Sequence, residues 1–142
     1  MTTLRKRAVV TGGGRGIGRG VAAALTRAGH EVTVLGRSAP PLEATVAAGD
    51  AIAWRAIDVT DEAALAACLK DLEVDILVNN AGIADSAPFV KSDLAFYRRL
   101  MAVNFESVII ATRAVLPGMI SRGFGRIISI CLLYTSDAAD EL

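Results

Sequence analysis

The stretch Thr11-Gly12-Gly13-Gly14-Arg15-Gly16-Ile17-Gly18 constrains the fold more than any other part of the chain. It stands between an apolar run, Ala8-Val9-Val10, and a segment with helical apolar spacing, Ile17 to Ala28. A strand that breaks into clustered glycines and reopens as a helix is how a parallel α/β sheet turns backbone N–H groups toward a phosphate. Glycine allows a close approach that a side chain would block. The stretch therefore predicts a dinucleotide site on the first βα turn. A flexible glycine turn is the other reading of the stretch taken alone.

The rest of the chain alternates between strand-like and helix-like patterns. Ile17, Val21, Ala24, Leu25 and Ala28 recur at helical spacing, with Gly29 as a stop. Residues 31–35 read as a second strand, Pro40 and Pro41 open a helix through Ala48, and residues 51–57 read as a third strand ending at Asp58-Val59. Thr60 is the expected N-cap of the next helix, with Leu65, Cys68 and Leu69 facing inward. Residues 74–78 form a fourth strand that runs into Asn79-Asn80-Ala81-Gly82. A long helix then begins at Ser92-Asp93, its period held by Leu94, Leu100, Met101, Phe105, Val108, Thr112, Val115 and Leu116. Gly123 and Gly125 precede a fifth strand, residues 126–130. This alternation predicts an α/β fold: one doubly wound parallel sheet with helices on both faces, over residues 1–130.

Composition excludes other classes. No uninterrupted apolar run approaches the ~20 residues of a membrane span, and the basic start has too short an apolar core for a secretion signal. The formal net charge is zero with scattered basic residues, so no nucleic-acid partner is expected. Two cysteines, Cys68 and Cys131, make no disulfide framework, which points to a reducing cytoplasm. No metal site is expected.

The glycine loop does not fit G-x-G-x-x-G from Gly12, because Ile17 holds the third glycine's place. It fits T-G-x-x-x-G-x-G at Thr11, Gly12, Gly16 and Gly18. With Asp58-Val59 closing the third strand, Asn79-Asn80-Ala81-Gly82 closing the fourth and Asn104 in the long helix, residues 7–130 resemble the short-chain dehydrogenase/reductase family. The resemblance implies a Rossmann-type domain and an oxidoreductase that moves a hydride between NAD(P)(H) and a carbonyl or secondary alcohol. It implies cofactor contacts at Gly12, Gly14, Arg15, Gly16, Ile17, Gly18, Arg37, Asp58, Val59, Asn80, Ala81 and Gly82, with Asn104 as the active-site asparagine. A homo-oligomer of the full-length protein, built through the long helix and later elements, is implied as well.

The residues support physical readings of their own. A carboxylate at a strand's end, Asp58, can accept a hydrogen bond from an adenine amino group or cap a helix. Asn80 can bond adjacent backbone and hold the strand end open, while Ala81 and Gly82 leave room for a flat ring. Asparagine has poor helix propensity, so Asn104 is expected to bind a water, kink the helix or serve as a structural amide. An NAD site commonly has an acid about 20 residues after the glycine loop. Here Gly36 stands in that place, Arg37 follows, and Arg15 lies in the loop. Two guanidinium groups without a carboxylate suit a 2′-phosphate, so NADP(H) is expected over NAD(H).

The family's chemistry also needs a serine after the fifth strand and a Tyr-x-x-x-Lys pair, whose tyrosine acts as general acid/base beside the lysine. The serine's place holds Leu132, Tyr134 is followed by Ala138 where lysine belongs, and Ser129 lies too early. Residues 131–142 back-translate to a string resembling a sequencing adapter, so they are expected to be a non-native tail on a truncated gene. On that reading the parent protein is the enzyme and the fragment is inactive. The alternative, from another class, is a non-catalytic nucleotide-binding or sensor protein. The substrate is not legible.

Overall fold

Strand β1 (Arg7–Thr11) lies at the centre of the sheet because its apolar side chains are buried on both faces, Ala8 and Val10 on one and Val9 on the other. The computed structural model describes residues 4–85 and 87–131. Leu132, Tyr134, Ala138 and nearly all of the expected non-native tail therefore lie outside the described residues. Strands β2 (Glu31–Gly36) and β4 (Ile76–Asn79) flank β1 in parallel, β3 (Ala53–Ala56) pairs with β2, and β5 (Arg126–Ser129) pairs with β4. The order is β3-β2-β1-β4-β5.

Helices cover both faces. Over one, α1 (Gly16–Arg27) and α2 (Ala39–Ala47) bury Ala22 and Leu42 against Val10, Val32, Val34 and Val78. Over the other, α3 (Glu62–Asp71) and α5 (Ser107–Arg122) bury Leu65, Leu69, Ala111, Val115 and Met119 against Val9, Leu35 and Leu77. This is the doubly wound parallel sheet. The chain first winds outward from β1 through β2 to β3, then returns to β4 on the other side. That reversal splays the connections apart and opens a crevice at the carboxyl ends of β1 and β4.

Three local expectations change. Thr60 does not cap α3; Asp61 does, its Oδ1 accepting from the Ala64 N–H at 3.0 Å, while the Thr60 hydroxyl is drawn to Asp58. Either side chain is chemically able to cap, and Asp61 wins because Asp58 already holds Thr60. Asp61→Ala should then lower stability by about 1 kcal/mol in urea denaturation, the usual worth of an N-cap. An unchanged midpoint would overturn that assignment.

In α1 the buried residues are Gly18 and Ala22, with Val21 and Leu25 packed beside them; Ile17, Ala24 and Ala28 are exposed. Small residues face the sheet there because the helix lies close to it.

The long helix is also not continuous. Helix α4 (Leu94–Met101) passes through a π turn, Ala102–Glu106, into α5, which runs past Pro117 to a left-handed stop at Gly123. Its buried side is Ser107, Ala111, Ala114, Val115 and Met119, of which Val115 alone belongs to the residues expected to hold the period. Leu94, Met101, Phe105, Ile109, Leu116 and Ile120 are exposed. Small residues fill the seam with α3, and the π turn rotates the face that continues along it. As a whole, Leu94–Arg122 is long and apolar enough to cross a membrane, although the expectation from uninterrupted runs was none. In the fold its small-residue side packs along α3 and β4.

Candidate dinucleotide site

The crevice is built first by the end of β1. The Thr11 hydroxyl accepts from the backbone N–H groups of Asn80 at 3.0 Å and Ala81 at 2.9 Å, and donates to the Val78 carbonyl at 3.4 Å. The side-chain amide of Asn80 donates back to the carbonyls of Thr11 and Gly12, at 3.1 and 3.2 Å. These reciprocal bonds lock the carboxyl ends of β1 and β4 side by side. Asn80 thus bonds adjacent backbone as expected. Thr11 was visible only as the first letter of the glycine pattern, and its hydroxyl is the other half of the clamp.

The glycine loop then turns back over β2. The N–H groups of Gly12 and Gly13 both donate to the Leu35 carbonyl, at 2.8 and 3.3 Å. Gly12 has φ +66°, which favours glycine. A Cβ on Gly18 would lie 2.2 Å from the Gly12 carbonyl oxygen, so the first turn of α1 can approach the strand end only without a side chain. Gly13 is as constrained, since its Cβ would lie 2.4 Å from the Val34 side chain. Its place in the pattern is a free position, so sequence spacing could not single it out.

The loop delivers the N-terminus of α1 with no side-chain cap and no acid in its first turn. Uncapped N–H groups at a helix start carry partial positive charge and attract an anion.

A cleft of about 460 Å³ lies at this point. Of the expected residues, Gly12, Gly14, Arg15, Ile17, Arg37, Asp58, Val59, Asn80, Ala81 and Gly82 line it. Gly18 packs behind the loop on the Gly12 carbonyl, Gly16 is exposed with φ +56°, and Asn104 stands next to the lining residue Ile83. Gly36, Ser38, Pro41, Leu42, Ile57 and Val103 also line the cleft. They are ordinary apolar or turn residues, and only the fold reveals their place.

Arg15 and Arg37 are both exposed at the cleft, and Gly36 contributes no carboxylate. Asp58 Oδ1 accepts from the Thr60 N–H at 2.9 Å and from its hydroxyl at 2.7 Å. Those two bonds, first the backbone one, outweigh a modest burial effect; with the positive Arg37 nearby they hold the carboxyl below the usual carboxylate range. Asp58 therefore stays ionised at neutral pH and presents an acceptor in the cleft wall.

Asn104 sits in the π turn, and its amide is engaged at both ends. Its Oδ1 accepts from the Ile83 N–H at 2.9 Å and its Nδ2 donates to the Ile83 carbonyl at 2.8 Å. A Cβ on Gly82 would lie 3.2 Å from that Oδ1. Asn104 thus fastens the chain leaving β4 to the long helix. Among the described residues no cluster of metal-ligating side chains occurs.

The residues present fit a dinucleotide. A glycine loop that admits no Cβ at Gly13 or Gly18 faces an uncapped helix start, and the cationic Arg15 and Arg37 and the small Ala81 and Gly82 line the same cleft.

Comparisons with known proteins agree with the doubly wound fold. The family model for short chain dehydrogenase matches residues 6–139. The 2-keto-3-deoxy-L-fuconate dehydrogenase of Xanthomonas campestris pv. campestris is 37% identical over 132 residues, covering 92% of this chain and 44% of that protein. The gluconate 5-dehydrogenase of Gluconobacter oxydans is 40% identical, covering 88% of this chain and 52% of that protein. A crystal structure from Beutenbergia cavernae, described as an NAD(P)-dependent gluconate 5-dehydrogenase with NADP bound at low occupancy, superposes with a TM-score of 0.82 at 34% identity. That match covers 92% of this chain and 55% of the other. The chain spans about half the length of the curated relatives it matches.

Proposed function

The chain belongs to the short chain dehydrogenase family, and from that premise we propose that it is the cofactor-binding part of an NADP(H)-dependent oxidoreductase acting on a small carbonyl or secondary-alcohol substrate. The observation that carries the reading is the closed glycine cradle at the sheet's reversal, where Gly18 meets Gly12 beneath an uncapped α1. When bound, the nicotinamide supplies hydride transfer. The chain's own residues bind and orient. Backbone N–H groups around Gly14, Arg15, Gly16 and Ile17 receive the diphosphate, Asp58 and Val59 receive the adenine, and Asn80, Ala81 and Gly82 form the floor toward the nicotinamide. Asn104 belongs to the active site by holding Ile83 beside that floor. The names of the sugar-acid relatives above favour a polyhydroxylated substrate.

Preference for NADP(H) rests on Arg15 and Arg37 with Gly36 between sheet and helix. A guanidinium can hold a 2′-phosphate through paired charge-assisted bonds. In calorimetric titration NADP+ should bind at least about tenfold more tightly than NAD+, since one charged hydrogen bond is worth ~1.5–3 kcal/mol. Replacing Arg15 and Arg37 together with alanine should remove that margin and leave NAD+ affinity nearly unchanged. Tighter binding of NAD+ by the unaltered chain would overturn the NADP reading, and no binding of either would overturn the dinucleotide reading.

The reading also places the whole protein in the cytoplasm, in keeping with free Cys68, with no nucleic acid and no membrane as partner. The exposed apolar residues of α4, the π turn and α5, among them Leu94, Phe105, Leu116 and Ile120, support a homo-oligomer assembled on that side.

A further inference from the structure

Helix α2 touches the glycine loop through one buried hydroxyl. Thr45 is fully buried, and its Oγ1 lies 3.2 Å from the Gly13 carbonyl oxygen and 3.0 Å from that of Pro41. The hydroxyl has one hydrogen, which the two carbonyls share; its contact with Pro41 is the local one a threonine makes within its own helix. The bond to Gly13 spans the fold, and among the described residues no other donor reaches that carbonyl. A buried carbonyl needs a partner, so Gly13 is turned toward α2. A trans peptide holds its C=O and N–H on opposite sides. Anchoring the Gly13 carbonyl to Thr45 therefore turns the Gly14 N–H away from α2, and Gly14 lines the cleft.

Two further contacts make this joint firm. A Cβ on Gly14 would lie 3.2 Å from Pro41, and one on Gly36 would lie 3.3 Å from Leu42, so the loop, the end of β2 and the first turns of α2 close on one another. The far side is tied by Arg19, whose Nε donates to Asp50 at 2.9 Å, and by Thr26, whose hydroxyl donates to the Asp50 carbonyl at 2.9 Å. Helix α1 is thus held to the turn that follows α2, beyond the loop, and Thr45 is the polar contact between α2 and the loop itself.

We propose that Thr45 is a positioning residue for the phosphate loop: it fixes the Gly13–Gly14 peptide so that the Gly14 N–H is presented to the diphosphate. The proposal rests on the dinucleotide reading and deepens it. The test uses the full chain and three probes, NADP+, ADP and adenosine 2′-monophosphate, with dissociation constants measured by calorimetry. NADP+ and ADP carry the diphosphate; the 2′-monophosphate carries adenine, ribose and the 2′-phosphate without it. Thr45→Val, which removes the hydroxyl at nearly constant volume, should weaken NADP+ and ADP by roughly five- to tenfold and leave the 2′-monophosphate unchanged. Thr45→Ser, which keeps the hydroxyl, should restore binding to within about twofold. Thr45→Ala gives the same reading if the valine variant does not fold. Equal losses for all three probes, no loss for any, or a serine variant as weak as valine would overturn the proposal. An unaltered chain that binds none of the probes would overturn the dinucleotide reading and this inference with it.

Discussion

Gly18→Ala is expected to abolish measurable dinucleotide binding and to destabilise the fold by about 3 kcal/mol or more. Two effects compete. Alanine is the better helix former and should favour α1 by ~1 kcal/mol. Against that, the new Cβ would lie 2.2 Å from the Gly12 carbonyl oxygen and 2.3 Å from the Asn80 amide nitrogen. Overpacking against side chains costs ~1–3 kcal/mol, and here one obstacle is backbone. The other is the amide that bonds the Thr11 and Gly12 carbonyls. Relief requires α1 to back away from β1, which displaces its uncapped start from the cleft. Gly20 separates the two effects: it lies in the same helix, is exposed, and has nothing near its Cβ position. Gly20→Ala should raise stability by up to ~1 kcal/mol and leave NADP+ binding unchanged. Denaturant melts and NADP+ titrations on the two variants decide it; a Gly18→Ala chain that binds as the unaltered one does would sink the cradle argument.

This contrast also marks what was legible in the sequence. The glycine pattern singles out Gly12 and Gly16, which have positive φ, and Gly18, which packs on the Gly12 carbonyl. It passes over Gly13, which is constrained by Val34 on another strand. The strands were legible from their apolar runs and their parallel sense from alternation with helices, whereas the order β3-β2-β1-β4-β5 is seen only in the fold. The inward face of the long helix was not. Periodicity selects the larger apolar residues, but packing against α3 selected Ala111 and Ala114, and a π turn at Asn104 shifts the phase. Asn104 stood out by its poor propensity, yet its partner Ile83 is 21 residues away and carries no signal. Thr45 had no signal at all, because a threonine within a short helix is ordinary until the fold brings Gly13 to it. Long-range polar pairing is what a linear pattern cannot hold.

Asp75→Ala is expected to cost about 3 kcal/mol at neutral pH, for the same kind of long-range reason. Asp75 lies just before β4, at the end of the sheet opposite the cleft, and is 7% exposed. Its carboxylate accepts from the Arg7 N–H at 3.0 Å and from Arg122 Nε at 3.1 Å, with Arg7 Nε at 3.6 Å. Its backbone bonds Arg7 on one side and Arg126 on the other. One residue thus joins β1, β4, β5 and the end of α5. Removing one partner of a buried pair costs ~3–5 kcal/mol; the low end applies because Arg7 and Arg122 reach solvent and can rehydrate. Burial is the largest influence on the carboxyl and pushes its pKa up. The Arg7 N–H and the charges of Arg7 and Arg122 together outweigh it, so the pKa is lowered. A lowered pKa means the contribution is fully present above the unfolded value of about 3.9 and is lost as pH falls through the folded value beneath it. The stability gap between the unaltered chain and Asp75→Asn should therefore be constant from pH 7 down to about 5 and shrink below about 4. Urea denaturation at pH 7 and at pH 3.5 reads it; a gap that widens in acid would mean that the carboxyl is held protonated by burial and the ion network contributes nothing.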